Sequence, residues 1–146
     1  MHIQLKRFYF KLLAPVIIGF AGACAYLRFQ GAGGLTEPAS AVIATAMFIL
    51  AAGFGIAGPI LYRSIFAYRR RNHARVPGTE FYKFERNLTG IALTAPYLAL
   101  AGYLMQLPRF HMATVILAAL YAIYTSYPLE KRIRLDEKIF RIDPCN

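Results

Sequence analysis

Residues 87–129 read NLTGIALTAPYLALAGYLMQLPRFHMATVILAALYAIYTSYPL, 43 residues interrupted by a single charge, Arg109. A helix rising about 1.5 Å per residue needs roughly 20 residues to cross about 30 Å of hydrocarbon. Split at Arg109, the stretch supplies 22 residues (87–108) and 20 residues (110–129), each enough for one crossing. Only Pro108-Arg109 separates them, so the two helices are antiparallel neighbours. The stretch predicts a transmembrane hairpin.

Two more uncharged runs lie upstream. Residues 38–62, between Glu37 and Arg63, number 25, and residues 12–27, between Lys11 and Arg28, number 16. The shorter run is extended by Lys11 and Arg28, whose stems snorkel, and by Phe8, Tyr9 and Phe10, which suit the membrane interface. Spans over approximately 10–28, 38–62, 87–108 and 110–129 follow, with an inner loop at 63–86 and a tail at 130–146. The expected fold is all-α: a single membrane domain, an integral membrane four-helix bundle made of two antiparallel transmembrane hairpins. A cleavable signal peptide competes for the first run, since Lys6-Arg7, the apolar stretch and Ala21-Gly22-Ala23 supply its parts.

Charge orients the spans. The chain holds 17 Lys and Arg against 7 Asp and Glu, a net +10, and is 58% hydrophobic. Such apolarity excludes a disordered chain. Fifteen of the basic residues fall before the first span, in the inner loop or in the tail, leaving Arg28 and Arg109 on the other side. The positive-inside rule then places both termini in the cytoplasm, as for a bacterial-type inner or plasma membrane. Topology absorbs the excess charge, so no nucleic-acid partner is implied.

The prolines mark helix ends and bends. Pro38 after Thr36-Glu37 reads as a capped start of span two, Gly58-Pro59 as a bend near its inner end, and Pro96 as a kink in span three. The inner loop is expected to continue span two to about Asn72, turn at Pro77-Gly78, and restart with Thr79-Glu80 as the cap of a short helix. The tail reads as a charged helix with Glu130–Arg134, Arg132–Asp136 and Glu137–Arg141 at i, i+4.

Candidate chemistry is sparse. No ionisable residue lies deep inside a predicted span, which argues against proton-coupled transport through the chain's own side chains. His2, His73 and His111 fall at no metal-ligand spacing, so no metal site is expected, and no cofactor is predicted. Haem, pigment or quinone binding would need ligands from a partner. Cys24 and Cys145 form no C-x-x-C pair; Cys24 reads as a small packing residue. Gly31-Ala32-Gly33-Gly34 reads as a hairpin turn.

More positive signals come from small, aromatic and basic residues. Ala44, Ala51 and Gly55 share one face of span two, a spacing that lets helices approach closely within this bundle or against another subunit. Tyr97 and Tyr121 fall at one depth near mid-membrane, where each phenol can bond the other. With Tyr124, they are candidates for a quinone or lipid pocket. Arg69, Arg70, Arg71 and Arg75 form a juxtamembrane cluster suited to anionic lipid or an acidic partner.

The segment Glu130-Lys131-Arg132-Ile133-Arg134-Leu135-Asp136-Glu137-Lys138-Ile139-Phe140 resembles the helix after a late span in isoprenylcysteine carboxyl methyltransferases and related membrane methyltransferases. That resemblance implies a helix that helps hold S-adenosylmethionine. It would give Arg86, Glu130, Arg134 and Glu137 roles in a membrane enzyme acting on a lipid-like substrate at the cytoplasmic interface. The family's arginine-histidine-proline-x-tyrosine element has no counterpart here, where Arg86-Asn87-Leu88 stands. The leading expectation is therefore a non-catalytic accessory or structural subunit of a larger membrane complex, in contact with membrane lipids and with other subunits or copies of itself.

Overall fold

A computed structural model describes residues 2–30, 40–71, 77–130 and 135. Among these residues the chain is helical with no strand: α1 (His2–Gln30), α2 (Ala41–Ala52), a π-helical turn (Gly53–Ala57), α3 (Gly58–Arg70), α4 (Gly78–Ala92), α5 (Thr94–Leu104) and α6 (Arg109–Ser126). Two helical stretches, Ile3–Tyr26 and Ala41–Arg70, are long and apolar enough to cross a membrane. The third run is divided at Leu93, so neither α4 nor α5 alone reaches the roughly 20 residues a crossing needs, and α6 counts 18.

Local chemistry explains each boundary. Span two begins at Ala41, because Ser40 caps it. The Ser40 hydroxyl accepts from the Ile43 N–H at 3.5 Å, and its carbonyl accepts from Ala44 at 3.0 Å. The expected start at Pro38 therefore shifts inward, while Thr36–Pro38 lie outside the described residues. The bend expected at Gly58-Pro59 takes the form of the π turn just before it. The Gly58 N–H reaches back to the Gly53 carbonyl, widening the turn where Pro59 has no N–H to give. The kink expected from Pro96 appears as the break at Leu93, three residues earlier, since Pro96 cannot bond the Ala92 carbonyl. Restarting the inner loop, Pro77 itself takes the position before α4, and Thr79 and Glu80 lie within its first turn rather than capping it. There Glu80 meets the positive helix end and pairs with Arg70, itself in the last turn of α3.

The α5–α6 connection closes α5 with a left-handed residue, Gln106 at φ 51°. Its N–H bonds the Tyr103 carbonyl at 3.2 Å, and the Leu107 N–H bonds the Gly102 carbonyl at 3.1 Å, the paired pattern of a Schellman ending. Leu107 folds back over Gly102 and is buried.

Small residues line the centre. Ala44, Ala51, Ala99, Ala118 and Ala119, with Leu107 and Val115, form one buried cluster among α2, α5 and α6. Ala92, Ala95 and Ala122 continue it between α4, α5 and α6. Gly55 is the tightest point: a Cβ there would lie 3.1 Å from the Ala95 Cβ and 3.2 Å from the Ala118 carbonyl. A second, aromatic cluster gathers Leu5, Phe81, Phe84 and Leu88 with Tyr62 and Phe66, and Phe66 stacks on Phe84 at 4.1 Å.

One expected neighbour relation is corrected. α1 packs on α4 and α5, not on α2, whose alanine face is occupied by α5 and α6. The contacts of α1 ascend in register with α4 and α5. Leu5 meets Phe81 and Phe84, Leu12 meets Tyr97, Gly19 meets Leu100, and Cys24 meets Tyr103. α1 therefore runs parallel to α4–α5, and its first turns lie beside the end of α6, where Tyr9 packs edge-on to Tyr127.

Candidate functional site

Two phenols fix α1 in place, each by donating to a backbone carbonyl. Pro15 lies inside α1 and disturbs the helical bonding of the preceding turn. The Tyr97 hydroxyl donates to the Leu12 carbonyl of that turn at 2.7 Å. At the end of α6, Tyr127 bonds the Tyr124 carbonyl instead of that of Ile123, and the Tyr9 hydroxyl donates to the Ile123 carbonyl at 3.0 Å. A helix end leaves a carbonyl such as that of Ile123 without a partner of its own, and in an apolar medium a neighbouring side chain must supply one. Leu12 instead lies inside α1, next to the Lys11 carbonyl that Pro15 cannot bond, and its bond from Tyr97 ties α1 to α5. Tyr97 is thus committed to α1, and the expected Tyr97–Tyr121 pair does not form.

Tyr121 and Tyr124 instead face a cavity of about 380 Å³. One wall comes from the π turn and α3, through Gly55, Ile56, Pro59, Ile60 and Arg63. Leu88 and Ala92 of α4 form its back, and the last turns of α6 with Tyr127 and Leu129 close the other side. Gly55 and Gly58 let the α2–α3 stretch approach α4, α5 and α6 closely at one level, and α6 ends at Ser126, shortly before Pro128. Two nearby hydroxyls are already used, that of Thr125 by the Tyr121 carbonyl and that of Ser126 by the Ala122 carbonyl. The hydroxyls of Tyr121 and Tyr124 have no hydrogen-bond partner among the described residues. Tyr124 is 79% exposed and Tyr121 about half. The cavity therefore joins apolar walls to two phenols and one guanidinium.

The remaining candidates are scattered. Ala44, Ala51 and Gly55 are buried in the chain's own centre. Arg69 and Arg71 are exposed and Arg70 pairs with Glu80, whereas Arg75 lies outside the described residues, as does His73. Arg86 is exposed on α4. Glu130 lies in a different groove, against Lys6, Arg7 and Lys11 of α1. Arg134 and Glu137, with the tail's other charged residues, all three expected tail pairs and Cys145, lie outside the described residues, as does the Gly31–Gly34 turn. Cys24 is exposed and sits 3.4 Å from the Tyr103 hydroxyl, not in a packed position. His111 is half-buried beside Phe110, its Nδ1 enclosed without a hydrogen bond. Among the described residues no group of three His, Cys, Asp or Glu could hold a metal.

Arg63 and Glu85 carry chemistry that the sequence reading passed over. Arg63 counted there only as the charge ending span two, yet it lines the cavity. Glu85, 6% exposed on α4, is buried although it belongs to the polar loop. The hydrophobic periodicity of α4 was the available signal: Glu85 follows Phe81 and Phe84 and precedes Leu88 and Thr89 on the buried side. Comparison of the chain with protein-family models, with curated proteins and with solved structures finds no match.

Proposed function

We propose that this chain is a four-span integral membrane protein with both termini cytoplasmic, serving as a non-catalytic accessory subunit of a larger membrane complex. Span one is α1, span two is α2 through α3, span three is α4 with α5, and span four is α6. The register of α1 with α4–α5 supports this topology, because two outward-going spans must run parallel. Lys6, Arg7, Lys11, Arg63, Lys83 and Arg86 lie towards the aromatic cluster, whereas Arg109 borders the pocket around Tyr103 at the opposite end. The packing of α1 also supports a retained span over a cleaved signal peptide, since Leu5, Tyr9, Val16 and Ala23 are all buried.

One observation carries the subunit reading. At about 100° per residue, Leu5, Tyr9, Val16 and Ala23 form a single stripe on α1, and Ala14, Ile18, Ala21 and Ala25 fall directly opposite. That opposite stripe is exposed, Ile18 at 70%, and a Cβ on neighbouring Gly22 would meet nothing within 4 Å. Small residues on a free transmembrane face allow close backbone approach, which drives helix association where hydrophobicity cannot. Purification in gentle detergent from the native membrane, followed by mass spectrometry, should recover a stoichiometric partner, and Ala21→Leu should release it while the chain stays monodisperse. Recovery of this chain alone would sink the proposal.

A further inference from the structure

The cavity beside Arg63 has a polarity that its position in a membrane would put to use. Arg63 lies towards the basic end, and Ile56, Ile60 and Leu88 form the apolar wall. Tyr121 and Tyr124 line the same space with hydroxyls that no described residue engages. Guanidinium and phenol groups together offer N–H and O–H donors, the complement of a phosphate oxygen. Ile60 in the cavity wall is itself exposed, so an acyl chain can lie along the protein there. At about 380 Å³ the cavity takes a head-group phosphate and the first part of one chain, and the remainder would rest outside.

We infer that this cavity binds an anionic phospholipid of the cytoplasmic leaflet, its phosphate on Arg63 and the tyrosine hydroxyls and its chain against Ile56 and Ile60. Charge complementarity selects the occupant. A zwitterionic lipid brings its own ammonium to the phosphate, whereas an anionic one leaves a net charge for Arg63 and for the exposed Arg69 and Arg71 further along the same helical stretch. The site rests on the membrane reading above, and the test separates the two.

The chain contains no tryptophan, so a single introduced one reports on its own surroundings. Leu129→Trp places it at the cavity, Ile60→Trp provides a second reporter on the apolar wall, and Ile17→Trp, 59% exposed on α1, which contributes nothing to the cavity lining, serves as control. Each variant is reconstituted in phosphatidylcholine vesicles containing a small fraction of brominated phosphatidylglycerol or brominated phosphatidylcholine. Brominated phosphatidylglycerol should quench the cavity reporters with about fivefold higher apparent affinity, the factor one membrane-facing arginine contributes. The Ile17→Trp control should respond equally to both lipids. Arg63→Gln should erase the difference and Arg63→Lys retain part of it. Equal quenching at both cavity reporters, with the control quenched, would overturn the site. A preference that survives Arg63→Gln would overturn it too, assigning the attraction to the general basic surface. Loss of the preference on adding inorganic phosphate would point to a free anion instead. An unquenched control would remove the membrane reading itself.

Discussion

Gln106 holds a conformation that a side chain rarely adopts without cost. Its left-handed backbone is the price of the Schellman ending that turns α5 into α6 within four residues. Glycine reaches that region freely, whereas other residues lose roughly 1–2 kcal/mol there, partly offset by glycine's greater freedom in the unfolded chain. Gln106→Gly is therefore expected to stabilise the protein by up to about 1 kcal/mol, seen as a higher midpoint when helicity is followed during thermal unfolding in detergent. An unchanged or lower midpoint would contradict this account of the turn. The turn itself was legible from Pro108-Arg109 between two apolar runs, but the strain at Gln106 was not, because nothing in its identity asks for a positive φ. Tyr97 teaches the same lesson. Depth arithmetic placed it level with Tyr121, and depth says nothing about rotation around the helix. Its partner is the Leu12 carbonyl in the turn before Pro15, and nothing in residue type announces a phenol bonded to a backbone carbonyl 85 residues away.

At the scale of elements, the stretch Ala41–Arg70 shows how a helix can remain continuous through a proline. The π turn at Gly53–Ala57 absorbs Pro59, and the glycine at its centre brings three helices to near contact. Gly55→Leu would drive a side chain against the Ala95 Cβ and the Ala118 carbonyl. Overpacking of this kind costs about 1–3 kcal/mol. The expected result is a lower unfolding midpoint, with a smaller loss for Gly55→Ala; a Gly55→Leu protein as stable as the parent would refute the close approach. The Ala44–Ala51–Gly55 face was legible because helical periodicity and small size are both written in residue type. Which helices would meet it was not, since the runs are similar in composition and only side-chain fit distinguishes them. The expected pairing of the first two spans failed for that reason. Bulk gathers instead at the second cluster, where Phe66 of α3 stacks on Phe84 of α4.

For the molecule as a whole, composition and charge carried most of the reading. Runs between charges marked the two helices long and apolar enough to cross a membrane, whereas α4 begins at Gly78, inside the stretch read as the inner loop. The direction drawn from the imbalance of basic residues belongs to the proposal. Orientation is open to a simple check: a reporter fused after Asn146 should be active only in the cytoplasm, and activity on the other side would overturn the proposed count of spans. The cavity was only half legible. Tyr121 and Tyr124 could be named from their spacing on one helix, but Arg63 reaches them from a helix more than fifty residues earlier, and such convergence is a property of tertiary packing alone.

The bonds that secure α1 also set an order of assembly. Leu12 and Tyr97 are 85 residues apart, and Tyr9 and Ile123 are 114 apart. At synthesis rates of roughly 5–20 residues per second, the first span waits on the order of ten seconds before its anchoring helices emerge. On the proposed topology, its flanking basic residues and aromatics would hold it alone during that interval, with both of its faces open. A partner would, on the proposed subunit reading, engage the small-residue face of α1 before the chain's own bundle closes on the other, and the complex would begin to form during synthesis.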